Sequence, residues 1–353
     1  MLTNGALVEL LARAATEETA GTHREQALRR ASRAALFWPV EAGTLVEGDR
    51  SLTELPRVGP WVAGILRSWL TAEDLPDSPE PPAERRGFRT IADARAILAD
   101  APEWRESIRA DLQMHTTYSD GTASLREMVQ NAAGWGYESV AITDHSKGLK
   151  IARGMDEARL SLQVEDIDSL NRDLEESRSP IRVLRSLEMN VSPEGDGDMD
   201  PGALARLDLV LGAFHSKLRE TGDQTDRYLL AVRNPTFHVL AHPRGRMFNR
   251  RVGLSADWPV VFQAAVEAGK ALEIDAHPNR QDLDVELLLL AAETGVWISI
   301  GTDAHRPEEL RHIELGLAAA IEAGIHRDQI LNFLPRERLL AWAKEKPSIF
   351  RRF

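Results

Sequence analysis

The sequence predicts an α/β protein: a TIM-like βα barrel of seven strands preceded by a small all-α domain. Three observations carry this. From residue 110 onward, short β-type runs alternate with helical stretches, which is the rhythm of a mostly parallel sheet. Before residue 71 the apolar residues recur at helical spacing instead. Between the two lies DLPDSPEPPAERRG, with four prolines from position 76 to 82. Seven strands suit a closed barrel better than an open sheet.

Residues 1–75 read as the helical domain, through ALVELLARAA and REQALRRASRAALF. LPRVGPWVAGILRSWL, residues 55–70, reads as a tight turn at Gly59 followed by a helix opened by Pro60, a favoured residue at the first helical position. Residues 76–108 read as the proline-rich linker and a connecting helical segment. The barrel is expected over 109–353, with strands near 110–115, 138–143, 181–190, 207–214, 236–241, 271–275 and 296–301. Between them lie helical stretches such as SLREMVQNAAGWG, WPVVFQAAVEAG and DVELLLLAAETG.

Composition narrows the function. The chain has 353 residues, 43% of them hydrophobic, and a net charge of -12, which speaks against a general nucleic-acid or membrane coat. It has no cysteine, so any metal must be held by His, Asp, Glu and similar ligands. This composition fits a reducing cytoplasm, where we place the protein. The first residues lack a basic segment and carry Glu9, so no signal peptide is predicted. No uncharged run is long enough to span a bilayer.

The strand ends carry the chemistry. Strand one ends at His115, with Asp120 in the following turn. Strand two ends in Asp144 and His145, and strand three holds Glu188. Strands four to six end at His215, His242 and His277. Strand seven ends in Thr302, Asp303, Ala304 and His305. In a βα barrel these ends share one face, where sites assemble. Any one such histidine can be an ordinary loop residue, but six of the ten histidines fall here, arriving with Asp120, Glu188 and Asp303. An all N/O set suits Zn, Mn or Fe, and residue types do not choose among them. Of the others, His23, His312 and His326 fall on helical stretches, and His238 is expected in mid-strand, in the core.

Taken together, DLQMHTTYSDG, ITDHS, LEMNV, GAFHS, LAHP and GTDAH resemble the polymerase-and-histidinol-phosphatase (PHP) superfamily, over about residues 109–310. The resemblance implies a distorted seven-stranded barrel, metal-dependent phosphoester hydrolysis and two or three divalent ions. Carried over by motif, His115, Glu188 and Asp303 would hold one metal. Glu188 would bridge to a second, held by His215 and His242. Asp120, His145 and His305 would hold a third. Glu188, Asp303 and His115 would thereby be the catalytic core. Gln113 stands where the family has a further histidine; a neutral amide is a poorer ligand, so the first metal would be held more weakly or completed by water.

ADLQMHTTYSDG, FHSKLRE, AHPRGRM and EIDAHPNR resemble the PHP module of bacterial family X DNA polymerases, and LPRVGPWVAGIL resembles their helix-hairpin-helix. That likeness implies DNA as substrate and DNA-backbone contacts at Val58, Gly59 and Trp61. The usual first glycine is Arg57 here, and the same segment is otherwise a tight helical corner. The segment between residues 71 and 109 has no room for a polymerase palm. Lys217, Arg219, Arg244, Arg246 and Arg280 follow the ligand-bearing strands and are candidates to hold substrate phosphates; the alternative for each is a solvated loop charge. Three functions follow: a DNA phosphodiesterase of the 3′-5′ exonuclease or repair type, a small-molecule phosphatase, or a DNA-binding scaffold with a vestigial site. No membrane is among the expected partners.

Overall fold

The computed structural model of the protein describes residues 2–345. Residue 1 and residues 346–353, the end of the range expected for the barrel, lie outside the described residues. The chain divides after Asp100 into two compact units.

The first unit is helical. Its helices Asn4–Glu17 and His23–Ala35 begin at Thr3 and Thr22, whose hydroxyls accept from backbone N–H groups of the first turn. They bury Leu7, Leu10, Leu11 and Leu28. The helix Pro60–Leu70 starts where proline and the preceding glycine predict. Arg57 takes the left-handed conformation (φ 65°), which favours the glycine whose place it occupies. Residues 76–100 do not run free. Arg85 pairs with buried Glu9 at 2.6 Å, Ile91 N donates to Leu36 O, and the helix Ile91–Asp100 is tied by Arg95 to Pro39 O.

The second unit is the barrel. Its strands are β1 (Ala110–Met114), β2 (Ser139–Ile142), β3 (Arg182–Asn190), β4 (Leu209–Ala213), β5 (Val239–Ala241), β6 (Ala271–Asp275) and β7 (Trp297–Gly301). They form one parallel sheet in sequential order. β1 and β7 approach each other without a regular ladder. Asp303 N donates to Gln113 O and His115 N to Ala304 O. At the other end of this seam the buried Asn332 amide accepts from Ile300 N and donates to both Ala110 O and Ile300 O. The sheet is thus nearly closed, and Asn332 satisfies backbone groups that a ladder would otherwise pair.

β5 is shorter than expected. Asn234 accepts from Thr236 N and hydroxyl, which holds that segment in a turn. His238 therefore precedes the strand and is half-buried rather than lying mid-strand in the core; its Nδ1 accepts from Val210 N. Among the described residues no helix is long and apolar enough to cross a membrane.

Candidate metal centre

The parallel strands deliver their C-terminal ends to one face, and the histidines and acids converge there. Gln113, His115 and Glu188 are fully buried; His145, His242 and Asp303 are nearly so. Asp120 and His305 keep 33% and 26% of their side-chain surface, which marks the open side of the site.

Glu188 is the centre. Its Oε1 lies 2.8 Å from His242 Nε2 and 3.1 Å from His215 Nε2. Its Oε2 lies 3.2 Å from His145 Nδ1, 3.4 Å from His115 Nε2 and 3.2 Å from the Gln113 amide nitrogen, which donates to it. One carboxylate therefore faces imidazoles with both oxygens. Asp303 lies beside it, its Oδ1 3.0 Å from His115 Nε2.

Three groups have ligand atoms all within 4.8 Å of one another: His115, Glu188 and Asp303; His145, Glu188 and His215; and His115, Asp120, His145 and His305. The first is the set the resemblance implied. In the second, His145 stands beside His215, while His242 meets the same Glu188 oxygen from outside the group. The third gathers Asp120, His145 and His305 and adds His115, whose ring stacks on His145 at 4.4 Å and on His305 at 4.3 Å.

These residues fit divalent ions. Both ring nitrogens of His115, Nδ1 of His145, Nε2 of His215 and Nδ1 of His242 are buried without a hydrogen-bond partner, which is costly unless something else uses the lone pairs. Other contacts fix which nitrogen is presented. His215 Nδ1 meets Asn190 Oδ1 at 3.2 Å and His305 Nδ1 meets Asp303 O at 2.8 Å, so Nε2 faces the site in each. His242 (φ 28°) and Asp303 (φ 50°) hold left-handed backbone, strain of the kind that concentrates at functional positions.

Charge is balanced around this cluster. Burial pushes the Glu188 carboxyl up, but the neighbouring imidazoles of His145, His215 and His242 outweigh it and hold it well below the usual range. Asp303 is likewise held low against burial, mainly by Arg280, whose Nε lies 3.1 Å from Oδ2. Asp120 is lowered to about 2, with His305 and His145 overcoming burial, and His305 rises to about 10 because Asp120 and Asp303 overcome its own burial. Burial lowers His145 to about 3.

Several residues here were not singled out from sequence. Glu273 and Asp275 on β6 are fully buried and raised well above the carboxylate range, by burial first and then by neighbouring acids. Glu273 accepts from His242 N at 2.8 Å. A Cβ at Gly301 would meet Glu273 Oε1 at 2.4 Å and Gln113 Cβ at 2.6 Å, so only glycine leaves Gln113 in place. Acids at alternate positions of a buried strand were the available signal. Asp111 accepts from Thr302 N and hydroxyl and so holds β7 to β1; burial raises it to about 7. Asp144 meets none of the three groups. It accepts from Thr116, Ser119 and Gln163 and shapes the turn after β1.

The basic candidates divide. Lys217 and Arg219 stand exposed after β4, and Arg227 holds their loop through Ser216 O and Lys217 O. Arg244 and Arg246 instead both pair with Asp284, and Arg246 is almost fully buried. Arg280 sits between Asp275 and Asp303. These three are committed to internal acids, against the expectation of rim contacts. His277 packs on the ring of His312 at 5.2 Å. In the helical unit Val58 is buried and Gly59 caps its helix, while Trp61 is 37% exposed beneath Arg24.

Residues 111–249 match the family described as PHP domain. The DNA polymerase/3′-5′ exonuclease PolX of Bacillus subtilis (strain 168) is 38% identical over 226 residues, which is 64% of this chain and 39% of that protein. The chain thus spans well under half the length of that relative. A probable phosphatase of Thermoanaerobacter sp. (strain X514) is 28% identical over 239 residues, 63% of this chain and 89% of that protein. The crystal structure of histidinol phosphate phosphatase from Lactococcus lactis, complexed with zinc, L-histidinol and phosphate, aligns with a TM-score of 0.44 and 18% identity, covering 62% of this chain and 94% of that one. The matched segment, residues 111–249, spans β1 to β5 and holds Gln113, His115, Asp120, His145, Glu188, His215 and His242, and Asp303 and His305 after β7 join them at the same face; this part of the chain is similar to the PHP domain.

Proposed function

We propose that the chain hydrolyses phosphodiester bonds in DNA, as a 3′-5′ exonuclease or repair nuclease, with two or three divalent ions at the Glu188 cluster. The observation that supports this most is the double-sided Glu188 carboxylate, whose oxygens each face two imidazoles. Phosphoester hydrolysis needs a nucleophile at neutral pH and positive charge against the phosphoryl oxygens. Divalent ions held there, Mn, Zn or Fe, would supply both, by raising the acidity of water and clamping those oxygens.

The protein's own residues do the rest. Glu188, with imidazoles at both of its oxygens, would help hold two ions and offset their mutual repulsion. His115 and Asp303 complete the deeper position, with Arg280 holding Asp303 ionised. Asp120 and His305 define the open side, where substrate enters. Lys217 and Arg219, exposed after β4, are placed to hold flanking phosphates. Gln113 takes part as a donor to Glu188 rather than as an imidazole ligand. The helical unit, through Val58, Gly59 and Trp61, would add DNA-backbone contacts.

DNA is favoured over smaller substrates by the 38% identity to a protein that carries an exonuclease name. A small-molecule phosphatase is the second reading, favoured by the match that covers 89% of a probable phosphatase. Digestion of end-labelled single- and double-stranded DNA with Mn²⁺, beside p-nitrophenyl phosphate and histidinol phosphate, separates the two. The proposal expects nucleotide release that stops on chelation. Turnover of histidinol phosphate alone would refute it.

A further inference from the structure

Ile151 is 92% exposed; among the described residues the next most exposed large apolar side chain, Leu162, is at 58%. Isolated surface hydrophobics are ordinary, so exposure alone decides nothing. What sets Ile151 apart is the loop that carries it. The segment from Ser146 to Met155 follows directly on the candidate ligand His145. Its two ends are pinched together, with Met155 N donating to His145 O at 2.7 Å and a bridge between Ser146 and Met155. The loop is held from both sides. The Ser146 hydroxyl and Gly148 N both donate to Asp198, and Met155 and Ala152 are buried. At Gly154 a Cβ would lie 1.9 Å from Ser146 O, so the return of the chain needs glycine.

The tip is a single 3-10 turn, Lys150–Ala152, closed by Arg153 in the left-handed conformation (φ 57°). Lys147 is taken up by Glu157 at 2.6 Å. Lys150 and Arg153 are exposed and form no ion pair among the described residues, in a chain of net charge -12. A rigid loop rooted at a metal ligand therefore presents one apolar side chain between two free cations. An isoleucine pushed between base steps while cations hold the adjacent phosphates is a known way for proteins to unstack nucleic acid.

We propose that Ile151 is a wedge that parts the terminal base step of a nucleic-acid strand, with Lys150 and Arg153 holding its phosphates, so that the end enters the site beside His145. This rests on the DNA-directed reading above and goes further: it assigns the loop after β2 to separating strand ends. A small phosphodiester has no stacked base and would not use it.

The test uses the full chain, Ile151→Ala, and the double variant Lys150→Ala with Arg153→Ala. Substrates are a blunt duplex and the matching single strand, each with 2-aminopurine next to the 3′ end, and bis(p-nitrophenyl) phosphate, all with Mn²⁺. The proposal expects Ile151→Ala to lower kcat/KM on duplex about tenfold relative to single strand, to lose the rise in 2-aminopurine fluorescence on binding, and to leave the small diester unchanged. The double variant should weaken binding to both DNAs and flatten its salt dependence. If wild type digests DNA and Ile151→Ala shows the same duplex preference and fluorescence, the wedge is refuted while the nuclease reading stands. If wild type cleaves the small diester but no DNA, both are refuted.

Discussion

Replacing Glu188 with glutamine keeps the shape of the side chain and removes one charge from the centre of the site. Four imidazole nitrogens lie 2.8, 3.1, 3.2 and 3.4 Å from its two oxygens, and the side chain is fully buried. At about 4 Å and an effective dielectric of 20, one unit charge is worth about 4 kcal/mol to a neighbouring charge. Losing it should therefore weaken metal binding by about a thousandfold, since 1.4 kcal/mol is tenfold. At least one ion should be lost and the hydrolysis rate should fall by a similar factor. The barrel should stay folded, because Leu187 and Met189 on either side of Glu188 remain buried in β3. The assay is metal content, circular dichroism and Mn²⁺-dependent cleavage on the purified variant. Full activity with undiminished metal would refute the shared role of Glu188 and most of the site assignment with it.

Gln113→His should retain more metal after dialysis against a weak chelator, because imidazole is the better ligand for borderline ions; unchanged retention would mean that position 113 does not serve the metals. Removing residues 1–100 should raise KM for DNA while a small phosphodiester is cleaved at a similar rate; an unaltered KM would count against a DNA role for the helical unit. Arg280→Met should destabilise the fold by about 3 kcal/mol, read by urea denaturation, because it strands buried Asp275 and Asp303 without their cation; a loss below about 1 kcal/mol would contradict that pairing. Burial lowers the Lys270 ammonium to about 8 from 10.5, and its Nζ donates to Asn234 O and Phe237 O. Between these values the unfolded chain binds the proton and the folded one does not, so this contribution to stability is complete above 10.5 and lost as pH falls to 8. Lys270→Met should remove a gain of up to about 3 kcal/mol between pH 8 and 10.5, and a variant that tracks wild type across that window would refute it.

The barrel was legible because its strands are short apolar runs between helical stretches and each ends in a polar residue. That pattern marks both the period and the face, and all seven strands lie within the ranges expected for them. Glu188, His215 and His242 meet as the strand order requires. Pairings made by tertiary contact were less legible. Nothing in the local sequence of Arg244, Arg246 or Arg280 tells that Asp284, Asp275 and Asp303 will claim them, since the partners come from other loops. Asn332 was invisible for the same reason: it lies far along the chain from β1, whose seam with β7 it closes. Residues 76–108 read as a proline-rich linker and a connecting helical segment because prolines disfavour regular structure, yet Arg85 and Arg95 tie the part up to Asp100 to the helical unit through long side chains that local propensity does not report.

The central claim is that Glu188 is shared between two metal positions. Electron paramagnetic resonance of the protein titrated with Mn²⁺ reads this directly, because a carboxylate bridge couples the spins of two ions about 3.5–4 Å apart. The account predicts a coupled dinuclear signal in wild type that Glu188→Gln converts to isolated Mn²⁺. A signal from isolated ions alone in the fully loaded wild type, or one coupled equally in both proteins, would contradict it.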